Sequence, residues 1–212
     1  MKKKYKNKYR GGPPRLKSWD YGWNGAYFIT ICTKNRVHFF GEIIPSPDSG
    51  DNNMVMSEIG KMAEKYWFEI PEHFPYVKLG AFVVMPNHIH GIIIIDKNDN
   101  VDAQNIAHQY HNAQNILHQY HNAQNIAHLY HNAQNIAHQQ SKNKFGPQSN
   151  NLASIIRGYK IGVTKNGRKI NPEFSWQSRY YDHIIRNKKS FENISKYIFN
   201  NPLNWKNDNF FY

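Results

Sequence analysis

Residues 82–95 read FVVMPNHIHGIIII and place two imidazoles, His88 and His90, two positions apart in an otherwise apolar run. On a strand, residues i and i+2 project from the same face while i+1 projects from the other. His88 and His90 therefore point together, roughly 7 Å apart at Cα, with Ile89 turned to the opposite side. Two imidazoles at that spacing can converge on one cation. A pair of satisfied core histidines is the bland alternative, and the spacing alone leaves the two open. Further along, Tyr197 and Asn201 are four residues apart within SFENISKYIFNNP, residues 190–202, so a helix would show both on one face. Asn193 and Asn200 flank them as a polar stripe, beside an apolar stripe of Phe191, Ile194 and Ile198. A phenol at such a boundary sits where a half-buried site could be built, or is simply an amphipathic side chain.

The elements that must position these groups are legible in outline. AYFITICT (26–33) alternates with β-branched and aromatic residues, which predicts a strand. SEIGKMAEKYWFEI (57–70) carries Ile59, Met62, Ala63, Tyr66, Trp67 and Ile70 at helical spacing, with Ser57 as N-cap. VKLGAFVVM (77–85) and HIHGIIII (88–95) are strands joined by a turn at Pro86-Asn87. LASIIRGYKIGVTKNG (152–167) is a helix with Ile155, Ile156 and Tyr159 inward. SWQSRYYDHII (175–185) is a strand or an extended arm. The 190–202 helix is expected to start at Ser190 as cap and to end before Pro202. This order predicts an α+β fold, an antiparallel sheet with helices packed on it.

Between the histidine strand and the next helix lies a repeat of period ten: AQNIAHQYHN, AQNILHQYHN, AQNIAHLYHN and AQNIAHQQ, spanning 103–140. It carries no charged side chain and few large apolar ones, so it cannot bury much against a domain. Residues 98–149 are expected to form an inserted loop, disordered or weakly helical, which a domain tolerates because closure entropy grows only logarithmically with length. The seven histidines of the repeat offer a separate reading, a store for Ni²⁺ or Zn²⁺.

The net charge of +12 is unevenly spread. Residues 1–17 hold eight Lys/Arg and no acid, 18–140 hold six basic and 11 acidic residues, and 141–212 hold 13 basic and four acidic ones. A basic arm and a basic last third form the footprint of a polyanion-binding surface. The single cysteine, Cys32, excludes an intramolecular disulfide framework. No apolar run approaches the ~18 residues of a membrane span. The basic start is not followed by the apolar stretch of a secretory signal, so a cytoplasmic, nucleoid-associated bacterial protein is expected.

The strand His88-Ile89-His90, preceded by MPN, resembles the HUH motif of single-strand DNA nucleases. Together with WQSRYYDHIIRN, KYIFNNPLNW and the start GGPPR…YFITICTKNR, it resembles the REP-associated tyrosine transposases, within the HUH single-tyrosine transposase superfamily. The resemblance covers about 26–97 and 150–206. It implies a ferredoxin-like fold with a four- or five-stranded antiparallel sheet and the histidine pair on a central strand. The domain is then 21–97 with 150–206, preceded by a basic arm over 1–20. The resemblance makes His88 and His90 metal ligands, Asn201 a third polar ligand and Tyr197 the nucleophile, with Mg²⁺ or Mn²⁺ as cofactor. The implied activity is cleavage of hairpin-associated, REP-like single-stranded DNA through a 5′-phosphotyrosine intermediate, with a monomer favoured and a homodimer as the alternative. Arg10, Arg15, Lys160, Lys165, Arg168, Lys169, Arg179 and Arg186 are the expected phosphate contacts. The competing reading is a non-catalytic, sequence-specific nucleic-acid-binding module on the same fold.

Overall fold

The computed structural model describes residues 4–5, 8–9, 19–45, 52–97, 149–208 and 210. The repeat 103–140 and the arm residues Arg10 and Arg15 lie outside the described residues. Four strands form the central sheet: β1 (Gly25–Cys32), β4 (Val77–Met85), β5 (His88–Ile95) and β6 (Tyr181–Ile185), in the order β4-β5-β1-β6. All the pairings are antiparallel. Helix α1 (Glu58–Phe68) connects β1 to β4, and α3 (Leu152–Ile170) connects β5 to β6. This is the split β-α-β arrangement of a ferredoxin-like fold, as expected. A fourth helix, α4 (Lys188–Asn200), follows β6.

The sheet is buried on both faces because each interior strand is apolar on both. Every residue of β5 is buried, and seven of the eight in β1, the near-continuous apolar signature of a strand covered on two sides. On one face Ile29, Ile31, Ile89 and Ile93 pack against Ile59, Ala63 and Trp67 of α1 and Ile155, Ile156 and Tyr159 of α3. On the other, Ala26, Ala81, Ile92 and Ile94 meet Phe191 and Ile198 of α4. Each large aliphatic or aromatic side chain so buried contributes about 1.5–3 kcal/mol. Gly91 is what allows Trp67 to lie flat on β5. A Cβ there would come 2.3 Å from Trp67 Cζ2, so the position requires a residue without a side chain.

Local signals account for most boundaries. Ser57 caps α1 by accepting from the Gly60 amide at 3.1 Å. Asn151 and Ser154 form a reciprocal capping box on α3. One expectation needs correction and one open alternative is resolved. Helix α4 starts three residues early: Asn187 is its cap, accepting from the Ser190 amide at 2.8 Å, so the cap is not Ser190. The 175–185 stretch is a strand only over its last five residues, and before them Trp176 makes a single bridge to Thr33. A hairpin of β2 (Gly41–Pro45) and β3 (Asn52–Met56) was not anticipated. A four-residue helix, α2 (Ile70–His73), extends the α1 region.

Candidate active site

Strand β5 begins immediately after the tight turn at Pro86-Asn87, opposite Met85 of β4 and Cys32 of β1. Its register puts Thr30 across from His90. His88 and His90 are 0% and 1% exposed and face the α4 layer, as Ile92 and Ile94 do. Their Nε2 atoms are 3.1 Å apart. Tyr197, at the start of the last turn of α4, brings its hydroxyl to 3.2 Å from His90 Nε2. Phe28, on β1, stacks on His90 and meets the Tyr197 ring edge-on.

The hydrogen bonds around the imidazoles set their tautomers. Asn87 Nδ2 donates to the Phe210 carbonyl at 2.9 Å, which leaves Oδ1 facing His88 Nδ1 at 2.8 Å as an acceptor. His88 therefore carries its proton on Nδ1 and presents a lone pair at Nε2. His90 Nδ1 lies 2.8 Å from Thr30 Oγ1, and a backbone hydrogen bond at Ile29 also favours a ring proton. Thr30 Oγ1 can accept from His90 Nδ1 as Asn87 Oδ1 does from His88 Nδ1, and with both protons so placed the two Nε2 lone pairs would be open to one cation.

Burial is the main influence on protonation here. It pushes His88 well below the ordinary imidazole value, helped by His90, Arg36 and His38, and it pushes His90 down to about 3. Both rings are thus neutral, the form that ligates a metal. Burial raises the Tyr197 phenol above its usual value; Asp208 adds to this and the Asn201 side chain opposes it.

Two further oxygens are buried without a partner. Asn201 is 2% exposed and its Oδ1 has no hydrogen-bond partner. Its backbone remains helical one residue past α4 (φ −61, ψ −42), which preserves the i, i+4 relation to Tyr197. Asp208 follows the turn Trp205–Asn207, and its Oδ2 is also buried without a partner. The ligand atoms of His88, His90 and Asp208 lie within 4.8 Å of one another. A carboxylate beside two inward-facing Nε2 atoms, with one of its own oxygens buried and unpartnered, is what a cation site requires. A donor set of two imidazoles alone would favour softer metals. Adding the Asp208 carboxylate moves the set towards Mn²⁺ and Mg²⁺. The residues present therefore fit a divalent cation.

Spacing grouped His88 with His90 and Tyr197 with Asn201, the resemblance joined the two pairs, and neither pointed to Asp208, Asn87 or Thr30. Asn87 was detectable as the residue directly before His88, whose ring its side chain orients. Asp208 carried no signal beyond being one of four acids in a basic segment.

The expected phosphate contacts divide into groups. Lys160, Lys165 and Arg168 line one cleft of about 630 Å³ with Arg157, Trp176 and Tyr180. Lys160 Nζ also donates to the Gln177 carbonyl at 2.7 Å, and Arg168 Nε to the Phe174 carbonyl at 3.0 Å. Lys169 bonds Asn166 Oδ1 at 3.0 Å, and it does not line that cleft; nor do the exposed Arg179 and Arg186. The cleft belongs to the α3 layer, across the sheet from the histidine pair.

No protein-family model matches the chain. It is 35% identical over 199 residues to an uncharacterized protein of Haemophilus influenzae, covering 92% of this chain and 89% of that one. It is 23% identical over 184 residues to a protein of the same organism named "Putative REP-associated tyrosine transposase", covering 87% and 73%. The solved structure of a REP-associated tyrosine transposase bound to a REP hairpin shares the fold with a TM-score of 0.50 at 17% identity, over 90% of this chain and 74% of that one.

Proposed function

We propose that this chain, similar to a protein named as a REP-associated tyrosine transposase and sharing the fold of a solved one, is a member of that family and a divalent-metal-dependent nuclease and transposase. It cleaves hairpin-bearing single-stranded DNA through a 5′-phosphotyrosine intermediate. One observation carries the reading: a single chain brings the Tyr197 hydroxyl to 3.2 Å from His90 Nε2, itself 3.1 Å from His88 Nε2. A module that only bound nucleic acid would have no use for a phenol held against two buried, neutral imidazoles.

His88, His90 and Asn201 hold the cation in this reading, and Asp208 stands as a fourth donor that the sequence did not offer. Bound there, Mg²⁺ or Mn²⁺ supplies charge neutralisation at a non-bridging phosphate oxygen and orients the phosphate for in-line attack. Tyr197 Oη attacks the phosphorus and gives up its proton to water. The Oη–P bond forms, the P–O3′ bond breaks, and the departing 3′-oxygen takes a proton. Phenolate is a better leaving group than an aliphatic alkoxide, so a free 3′-hydroxyl can reverse the step without ATP. Burial keeps the Tyr197 phenol protonated at neutral pH in the metal-free chain, so attack depends on positive charge being brought beside it.

The cleft of Arg157, Lys160, Lys165 and Arg168 is a phosphate-binding surface on the far face, with Trp176 and Tyr180 as aromatic floor. Residues 98–149 form an insertion that the 21–97 and 150–206 domain carries without using. Lys97 Nζ donates to the Gly22 carbonyl at 2.6 Å and the Leu152 amide to the Tyr21 carbonyl at 3.0 Å, so both ends of the insertion return to one loop.

The test is incubation with hairpin-bearing single-stranded DNA and Mn²⁺, followed by denaturing electrophoresis. Wild type should give a covalent protein–DNA adduct, and Tyr197→Phe should give none while binding DNA normally. If the phenylalanine variant still forms the adduct, Tyr197 is not the nucleophile. The exposed Tyr181, which meets Phe28 edge-on, is then the next candidate.

A further inference from the structure

We propose that Arg36 is a catalytic residue of this site, its guanidinium gripping the scissile phosphate on the side away from the histidines; the proposal rests on the phosphotyrosine reading. Arg36 lies in a tight turn, Lys34–Arg36, immediately after β1. The turn is clamped to the approach of the histidine strand. The Thr33 amide donates to the Asn87 carbonyl at 2.9 Å, Thr33 Oγ1 donates to the same carbonyl at 3.0 Å, and the Arg36 amide donates to the Thr33 carbonyl at 3.2 Å.

Two features single out the residue. First, Asn35 and Arg36 are both left-handed, with φ of 55 and 57. Asparagine tolerates that conformation, whereas arginine pays about 1 kcal/mol or more for its Cβ. An arginine held where glycine would sit without strain points to a use for its side chain. Second, the guanidinium carbon lies 4.9 Å from the centroid of the Phe210 ring, and that ring is 4.6 Å from His88 and 5.9 Å from His90. Phe210 thus touches both the guanidinium and the histidines. A phosphate taking the place of that ring would reach Arg36 and the imidazoles together. Guanidinium matches phosphate geometry with two parallel N–H donors and stays charged at every working pH. In the step above, charge builds on the non-bridging oxygens as Oη–P forms and P–O3′ breaks, and a fixed cation aimed there lowers the barrier.

The experiment measures the adduct-formation rate for wild type, Arg36→Gly, Arg36→Lys and Asn35→Gly, with Mn²⁺ and hairpin-bearing single-stranded DNA. Affinity for the same DNA is measured alongside. Arg36→Gly should fold at least as stably as wild type, bind DNA within about twofold, and form adduct about 100-fold more slowly. Millimolar guanidinium chloride should restore part of its rate, and sodium chloride should not. Arg36→Lys should be intermediate, because it keeps the charge and loses the fork. Asn35→Gly should match wild type. An Arg36→Gly rate within about threefold of wild type, or a slow rate that guanidinium leaves unchanged, overturns the proposal while the phosphotyrosine reading stands. Should Arg36→Gly not fold, a wild-type rate for Arg36→Lys overturns it. A wild type that forms no adduct at all removes both.

Discussion

Acidification of the metal-free chain should unfold it by charging the buried imidazole pair. An unfolded histidine titrates near 6.5, whereas burial holds His90 at about 3 in the folded chain. Between those values the unfolded chain binds a proton that the folded chain refuses, so stability is complete above pH 6.5 and falls as pH drops towards 3. Well inside that window the slope is about 1.4 kcal/mol per pH unit for each such histidine. From pH 8 to pH 5 the loss attributable to His90 alone is about 2 kcal/mol, and His88, depressed in the same direction, adds to it. The assay is urea unfolding followed by tryptophan fluorescence at pH 8, 7, 6 and 5 in EDTA, for wild type and His90→Gln. The variant starts less stable at pH 8, since it loses the contacts to Thr30, His88 and Tyr197, but its decline with acid should be shallower. Wild type and variant curves that run parallel from pH 8 to pH 5 would refute a buried neutral His90. Mn²⁺ should steepen the wild-type dependence, because it binds the neutral rings and competes with the proton.

The same structure makes three other expectations. Gly91→Ala drives a methyl into the Trp67 indole and should cost at least about 2 kcal/mol of stability by urea unfolding; a change under about 0.5 kcal/mol would mean that Trp67 does not lie on β5. Asn87→Ala removes the acceptor that orients His88 and should weaken Mn²⁺ binding roughly 10–100-fold by calorimetry, with unchanged affinity speaking against that orientation. Replacing residues 98–148 by a six-residue Gly/Ser linker shortens the closed loop about eightfold. It should keep the adduct-forming activity and raise stability by up to about 2 kcal/mol. Loss of folding would show that the repeats are part of the domain.

What could be read along the chain was whatever a local period encodes. The two strands of the 77–95 hairpin, the inward face of α3 and the Ser57 cap follow from side-chain spacing and turn chemistry within a few residues of each other. The same holds for His88 and His90 sharing a face, and for Tyr197 and Asn201 sharing another, because strand and helix geometry place i+2 and i+4 neighbours without help from the rest of the molecule. The β2–β3 hairpin stayed hidden because its alternation is weak and broken by two prolines within GEIIPSPDSGDNNMVM. The start of α4 was misplaced because Asn187 and Ser190 are both competent caps, and only the observed bond to the Ser190 amide separates them. Convergence was the part that no period could show. Arg36, Asn87, Tyr197, Asp208 and Phe210 come from segments up to 174 residues apart in the chain. They meet because β5 pairs with β1 and α4 folds over the face that carries the imidazoles. Sheet order and helix packing set those distances, so the sequence offered the reactive groups and only the tertiary structure brought them within reach of one another.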